Sequence, residues 1–575
     1  MVLISRINSF LDIYFNGLFM TSTENSNAAI HYDADGYRFD KKIMGRQSAG
    51  MGFLKTLCQH GQLEEVVGWC NNAQAALDFS QDVDLYAHED VISRVIGAGN
   101  YQQLSSIGTL YTPSPDLSPF AWQRASVGSV LWSLCGVTHT TCSTAVMDNI
   151  VSYLSSPVQP WDALVCTSEA AKEVVTNLLD EQECYLVDNL GAKTFTRPQL
   201  PVIPLGVDCA SFSFTPQQRK QARARLAIPE GDMVVLYAGR LSFHAKAHPL
   251  PMYAALQTLT SKHNVHIVHF GVFPSVGLEQ VFKDGAQALC PNVMCHWLDG
   301  SVDVNHALAW HSADVFCSLA DNIQETFGLT PIEAMAAGLP VVVSDWNGYK
   351  DSIRHEVDGF KVATSMPAPG SGLNIAQRHQ LGIDNFDYYI GHTSQFVGVD
   401  VPQCELAFEA LFNSPKLRHK MGQSGQLRAK EIYDWPVVIA QYQKLWRQLG
   451  ELRKASADHG DLKIARPSRP CPFSLYQSYP SITITLKTFV QINNPVSAEQ
   501  LNNRLNLSII SFAKAVLPSE ADCQLILDKL KSMQGSIQVH QLAVIVGCSD
   551  LQKQTSLILI LAWLHKQGWI CLKSP

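Results

Sequence analysis

The sequence predicts an α/β protein with two doubly wound parallel sheets in series, followed by a small, mainly helical module. Three observations carry this. The chain has 575 residues, several times the roughly 150 of a usual single domain, so more than one core is required. Apolar residues make up 46% and charged residues 16%, against a usual charged share of about 25%, which suits strands buried on both faces. Short apolar runs also alternate with helix-like sequence in two successive series, the pattern of parallel strands joined by crossover helices.

Residues 1–27 read as an extension. They are apolar and aromatic up to Met20 but interrupted by Arg6, Asn8, Asp12 and Asn16, and they have no small-residue cleavage site, so they do not form a signal peptide. Met20, before a polar stretch, is an alternative start. Residues 28–32 form a first buried strand, followed by a glycine-containing loop and a helix over 48–60. Residues 163–168 are a strand closed by Ser168, a helix N-cap for 169–179. The run 202–208 closes a first domain assigned to 28–215.

A helix rich in Gln and Arg (216–226) opens a second domain, 216–430, with strands at 233–238, 265–270, 293–297, 315–318 and 341–344. A last helix covers 431–455. Pro467, Pro470, Pro472 and Pro480 mark a linker over 456–480. The module 481–575 contains a helix from about 521, an apolar run over 539–546, a Gly547-Cys-Ser549 turn, a helix over 551–567 and a short strand over 569–572. That order resembles a winged helix. The DNA-binding form needs a basic, polar second helix, whereas this one is Leu557-Ile-Leu-Ile-Leu-Ala-Trp-Leu564, so docking of a protein partner or domain packing is favoured over DNA.

The net charge of −8, from 43 Lys plus Arg against 51 Asp plus Glu, excludes a surface that coats nucleic acid as a whole. Fifteen scattered cysteines without a C-x-x-C pair suggest neither a disulfide framework nor a zinc site, but buried thiols in a reducing cytoplasm. The longest apolar run, 557–564, is too short for a bilayer.

The chemistry-bearing stretch is Glu325-Thr-Phe-Gly-Leu-Thr-Pro-Ile-Glu333-Ala-Met-Ala-Ala-Gly-Leu-Pro340. Two carboxylates flank a loop and the beginning of a helix with Pro331 at its first position, so the amides of Phe327, Gly328 and Leu329 lie at the positive end of the helix dipole, where phosphate binds. Thr330-Pro-Ile-Glu333 equally fits a capping box, in which Glu333 only satisfies a backbone amide. Upstream, a strand runs into Gly239-Arg240-Leu-Ser-Phe-His-Ala-Lys246. Six cations lie between 216 and 250; those from Arg219 to Arg225 read as a solvated helix face, and Arg240 and Lys246 as functional.

These two segments resemble the Glu-x(7)-Glu and Gly-Arg-Leu-x(4)-Lys signatures of glycosyltransferase family 4. The resemblance extends over about 28–450, through Val137-Thr-His139, the run 202–208 and Tyr433-Asp-Trp435. It implies the GT-B architecture, two Rossmann-like domains facing a cleft, with the donor held by the second and the acceptor by the first. It implies retaining transfer from a nucleotide-diphosphate sugar to a carbohydrate, lipid-linked or small-molecule hydroxyl, with no cofactor and no metal. Glu325, Arg240, Lys246 and His139 would be catalytic, and Gly239, Phe327, Gly328, Leu329 and Glu333 would bind donor. Gly45, Arg46 and Ser48 would face the cleft, although Gly36 stands alone where many members have adjacent glycines. Asp351 stands where a glutamate is common. The expected location is the cytoplasm or the cytoplasmic face of the membrane, with peripheral association.

Two rival readings remain open at this level. Asp33-Ala-Asp35 and Asp82-Val-Asp84 fit the Asp-x-Asp of a metal-dependent, single-domain glycosyltransferase. A non-catalytic sugar-nucleotide sensor signalling through the C-terminal module would keep the same donor residues.

Overall fold

The structure is a computed structural model that describes residues 27–38, 45–456, 463–533 and 535–574, with the side chains of Gly45 and Arg46 outside the description. The readings made for residues 1–26, including the alternative start, lie outside the described residues. The chain divides into two compact units, one ending at Ala465 and one beginning at Arg466.

The first unit contains both expected sheets. Strands β1 (Ala29–His31), β2 (Glu65–Cys70), β3 (Ile92–Gly97), β4 (Thr109–Tyr111), β5 (Ser133–Val137) and β6 (Ala163–Val165) are ordered β3-β2-β1-β4-β5-β6, all parallel. Strands β7 (Met233–Ala238), β8 (Val265–Gly271), β9 (Met294–Asp299), β10 (Val315–Ser318), β11 (Val341–Ser344) and β12 (Gly359–Val362) are ordered β12-β11-β10-β7-β8-β9, again parallel. In each sheet the first strand in sequence is central and the chain winds outward in both directions, the Rossmann-like topology. The central strands β7, β10 and β11 are buried along their whole length, as helices on both faces require.

Helix α1 (Gly45–His60) packs beside β1, and α2 (Glu169–Leu190) follows β6 with Ser168 as its N-cap, accepting from Ala171 N. Helix α3 (Leu329–Ala336) follows β10. Helix α4 (Trp435–Ser456) then returns to the first sheet, burying Val438, Ile439, Tyr442 and Trp446 against Phe53, Leu57, Tyr111 and Val137. The two chain crossings between the domains are tied together: Val207 N donates to Tyr433 O at 2.8 Å and Trp435 N to Val207 O at 3.2 Å. The Trp435 indole fills the space left by two glycines, because a Cβ on Gly52 would lie 2.6 Å from its ring and one on Gly206 only 2.2 Å away.

One charge reading is overturned. The helix Pro216–Arg225 does not present all its cations to solvent: Arg219 and Arg223 each reach an Asp314 carboxylate oxygen at 2.5 Å. Arg223 also donates to the carbonyls of Pro229, Glu230, Asp232 and Ser312, and is 3% exposed. These arginines fasten the helix to the beginning of β10, and only Lys220 and Arg225 keep the solvated role. All fifteen cysteines are free thiols, most of them buried.

The second unit is built on a three-stranded antiparallel sheet. Strand β13 (Phe489–Ile492) lies between β14 (Ile537–Gln538) and β15 (Ile570–Lys573). Helices Ala498–Leu505, Glu520–Ser532, Val539–Ile545 and Leu551–Lys566 enclose it, the apolar run 539–546 proving helical. Leu557, Leu561 and Leu564 of the last helix lie in this core, so its apolar face is internal.

Candidate active site

The site is assembled where β7, β8 and β10 end. Gly239 (φ +130°) and Gly271 (φ +155°) let the chain leave β7 and β8 back to back, since a Cβ on Gly271 would meet Gly239 O at 1.7 Å. The turn after Gly239 brings Lys246 against Glu325, and Nζ and Oε2 form a direct ion pair with both side chains largely buried. Mutual attraction offsets desolvation and holds the Lys246 ammonium well above the usual lysine range. Arg240 donates to Ala245 O at 3.1 Å and has no ion-pair partner among the described residues. Burial lowers its pKa, partly countered by Asp387 and Glu325. Among the described residues Lys246 is thus neutralised by a carboxylate and Arg240 is not.

Helix α3 begins after Gly328, not at Pro331, which occupies the third helical position. Gly328 has φ +87° and a Cβ there would fall 1.9 Å from Tyr349 Cε1. Only glycine lets the Phe327–Leu329 backbone lie over that ring, whose hydroxyl is fixed by Ser318 at 2.9 Å. With Gly328 as N-cap and no side-chain cap bond, Thr330 and Glu333 form no capping box. Thr330 Oγ1 is buried without a partner. Glu333 sits one turn into α3 with no hydrogen-bond partner among the described residues. Burial pushes its pKa up to about 7, opposed by the Lys246 charge. The capping explanation of Glu333 therefore falls away, and a desolvated acceptor near the Lys246 charge remains.

The first domain reaches Thr326 of this loop through two contacts and the Asp351 segment through a third. Thr326 Oγ1 donates to His139 O, Ser168 Oγ donates to Thr326 O at 2.6 Å, and Glu169 N donates to Asp351 Oδ2 at 2.7 Å. His139 thus lies across from the residue that follows Glu325, and it lines a small cavity with Gly50, Phe53 and Trp435. Asp351 caps a first-domain helix. Ser48 is partly buried on α1, a helix whose Gly50 packs on Gly36, a Cβ there meeting Gly36 O at 2.1 Å. These glycines serve close packing of α1. Gly45 is the first residue of α1, and nothing is described of the Arg46 side chain.

The Asp-x-Asp segments have other partners. Asp33 caps a short helix through Asp35 N, and Asp82 is buried, accepting from the Tyr32 hydroxyl and from Arg38. No cluster of three or more His, Cys, Asp or Glu suited to a metal occurs among the described residues. Sequence reasoning missed Thr326, Ser168 and Tyr349. Ser168 had a visible cap signal, but the contacts of all three join residues far apart in the chain.

The D-inositol 3-phosphate glycosyltransferase of Geodermatophilus obscurus is 30% identical over 261 residues, 43% of this chain and 55% of that protein. The phosphatidyl-myo-inositol mannosyltransferase of Mycobacterium leprae is 28% identical over 245 residues, 42% of this chain and 52% of that protein. The chain spans about half the length of the curated relatives it matches. Among solved structures, HepE from Anabaena in complex with UDP aligns at 14% identity over 74% of this chain and 99% of that one, with a TM-score of 0.45. A glycosyltransferase from Rickettsia africae aligns at 12% identity over 74% and 98%, with a TM-score of 0.47. Residues 218–368, which hold Gly239, Arg240, Lys246, Glu325 and Glu333, match the family described as "Glycosyl transferases group 1".

Proposed function

We propose that the chain transfers a sugar from a nucleotide-diphosphate sugar to an acceptor hydroxyl with retention at the anomeric carbon. The observation that carries this reading is the Lys246–Glu325 pair in the segment leading into α3, with Arg240 near it and without an ion-pair partner among the described residues. The donor lies on the domain assigned to 216–430 and the acceptor on 28–215. Arg240, Lys246 and the amides of Phe327, Gly328 and Leu329 hold the diphosphate and stabilise the charge that grows on it as the glycosidic bond breaks. Glu325 accepts from hydroxyls of the donor sugar and Glu333 from the ribose. The acceptor oxygen attacks the same face of an oxocarbenium-like centre, and its proton passes to the departing phosphate oxygen. His139 lines the far wall beside the transferred sugar. No metal is required, and turnover persists in a chelator.

The test begins with thermal-shift screening against nucleotide-diphosphate sugars to find the donor. Release of nucleoside diphosphate is then followed with candidate acceptors. The names of the relatives supply D-inositol 3-phosphate and phosphatidyl-myo-inositol as first choices, alongside carbohydrates. An inverted product would reject retention. Tight donor binding without release from any acceptor would instead favour the sensor reading. The reaction is placed in the cytoplasm, at or near the cytoplasmic membrane face.

A further inference from the structure

We propose that residues 366–397 form a strap that holds the two sheet domains closed on each other and keeps the Arg240–Lys246 loop in place, with Ile390 and His379 as positioning residues. The segment leaves the second sheet between its edge strand β12 and the helix Val401–Asn413, whose Cys404, Phe408 and Leu411 rejoin the core of that sheet. An antiparallel pair closes its base, Thr364 opposite Val399 and Ser365 opposite Gly398. It carries two helices, Leu373–Gln380 and Phe386–Ser394, and adds no strand to the sheet it interrupts. The residues matched to the group 1 family end at 368, so nearly all of it lies beyond them.

The segment is braced from within. Arg378 donates from Nε and Nη2 to the two oxygens of Asp384, each at 2.8 Å, and His392 Nδ1 reaches the same carboxylate at 3.1 Å. The His379 ring stacks on Tyr389 at 4.5 Å. From this frame, contacts run to both walls of the cleft. On the second domain, fully buried Ile390 packs on Ala245, the residue before Lys246, and a Cβ on Gly391 would lie 3.1 Å from His244 Cβ. On the first domain, the same Ile390 cluster contains Cys142, and His379 Nε2 lies 3.0 Å from Thr144 Oγ1. His379 Nδ1 is 3.0 Å from the Asp384 carbonyl, which only accepts, so in the neutral ring Nδ1 carries the proton and Nε2 accepts from the Thr144 hydroxyl. The segment's own ion pairs would close it without either wall. Opening the cleft would break the Thr144 bond and expose Ile390, Cys142 and Ala245, so these contacts bias the unliganded chain toward the closed arrangement. The effect on closure is independent of the transfer reading, whereas the effect on turnover rests on it.

Closure is read at the Glu169 amide, which is bonded across the domains to Asp351, both residues outside the segment. Its hydrogen exchange is followed by mass spectrometry in the unliganded full chain. Excising 366–397 and joining Ser365 to Gly398 through Asn-Gly, which suits a two-residue hairpin, should speed this exchange at least about tenfold. Thr144→Val and His379→Phe should each speed it about fivefold, the effect of one hydrogen bond, and the double variant no further, because both remove the same contact. Leu373→Ser, at a position of the segment 73% exposed, should leave it unchanged. Exchange in β7 and β10 should stay slow throughout; if excision abolishes that protection, the point variants decide. With a donor that supports nucleotide release, Thr144→Val should raise the acceptor KM about fivefold and leave the donor Kd unchanged. Unchanged Glu169 exchange in the point variants, or additive effects in the double variant, overturns the strap. Faster exchange with an unchanged acceptor KM overturns the positioning role. Absence of nucleotide release from the unaltered chain counts against the transfer reading alone, and the exchange result still decides the strap.

Discussion

Glu333→Gln separates the two roles of a buried carboxylate. Burial raises the Glu333 pKa from 4.5 to about 7, a shift worth about 3 kcal/mol as an upper limit, reduced to about 2 kcal/mol by its partial exposure. The sign follows from proton linkage. Between pH 4.5 and 7 the folded chain binds more protons than the unfolded one, so stability declines with rising pH and the whole cost is present above pH 7. Glutamine keeps the shape and removes the charge. At pH 8 the variant should therefore be more stable by about 2 kcal/mol, roughly 4–8 °C in the melting of a domain of about 200 residues. The gain should shrink below about 1 kcal/mol by pH 5, where the native carboxyl is protonated. Calorimetry at pH 5, 6.5 and 8 reads this directly. If Glu333 binds the ribose as proposed, the same variant should also bind the donor more weakly, since a charged acceptor is lost. A gain independent of pH, or a variant less stable at pH 8, would falsify the account of Glu333 as a desolvated, unpartnered acceptor.

Lys246→Ala should abolish turnover and cost about 3–5 kcal/mol in stability, because Glu325 is left as an unpaired buried charge. The double variant Lys246→Met with Glu325→Gln should recover that stability without activity, read by urea denaturation beside nucleotide release; recovery of activity would refute the catalytic role. Trp435→Ala should cost about 3–5 kcal/mol by emptying the space between Gly52 and Gly206, and Gly52→Ala about 1–3 kcal/mol by overfilling it; unchanged denaturation midpoints would count against that packing. Ser168→Ala removes both the cap of α2 and the bond to Thr326, and should cost about 1–2 kcal/mol. It should also raise the KM for acceptor, a change that loss of the cap alone would not produce.

Much was legible before folding. The strand series at 233–238, 265–270 and 315–318 emerged as β7, β8 and β10, because these short apolar runs alternate with helix-like sequence as parallel strands joined by crossovers do, whereas the isolated run 539–546 proved helical. The two motif segments pointed to Lys246 and Glu325, and the structure brings these into direct contact. Other features were not legible. The Arg219 to Arg223 stretch looked solvated because helical spacing cannot report that Asp314, some ninety residues away, arrives beneath it. The choice between capping box and free carboxylate for Glu333 turned on where α3 begins, which depends on Tyr349 occupying the space over Gly328.

The amino-acid sequence by itself determined which segments become strands, which turn needs glycine and which charged side chains stand at strand ends, since these follow from local periodicity and backbone stereochemistry. Only the tertiary structure decided which charges neutralise one another and which remain unpaired. Those outcomes depend on contacts across the cleft and between distant elements, where burial changes the cost of a charge by several kcal/mol and no local pattern records the partner.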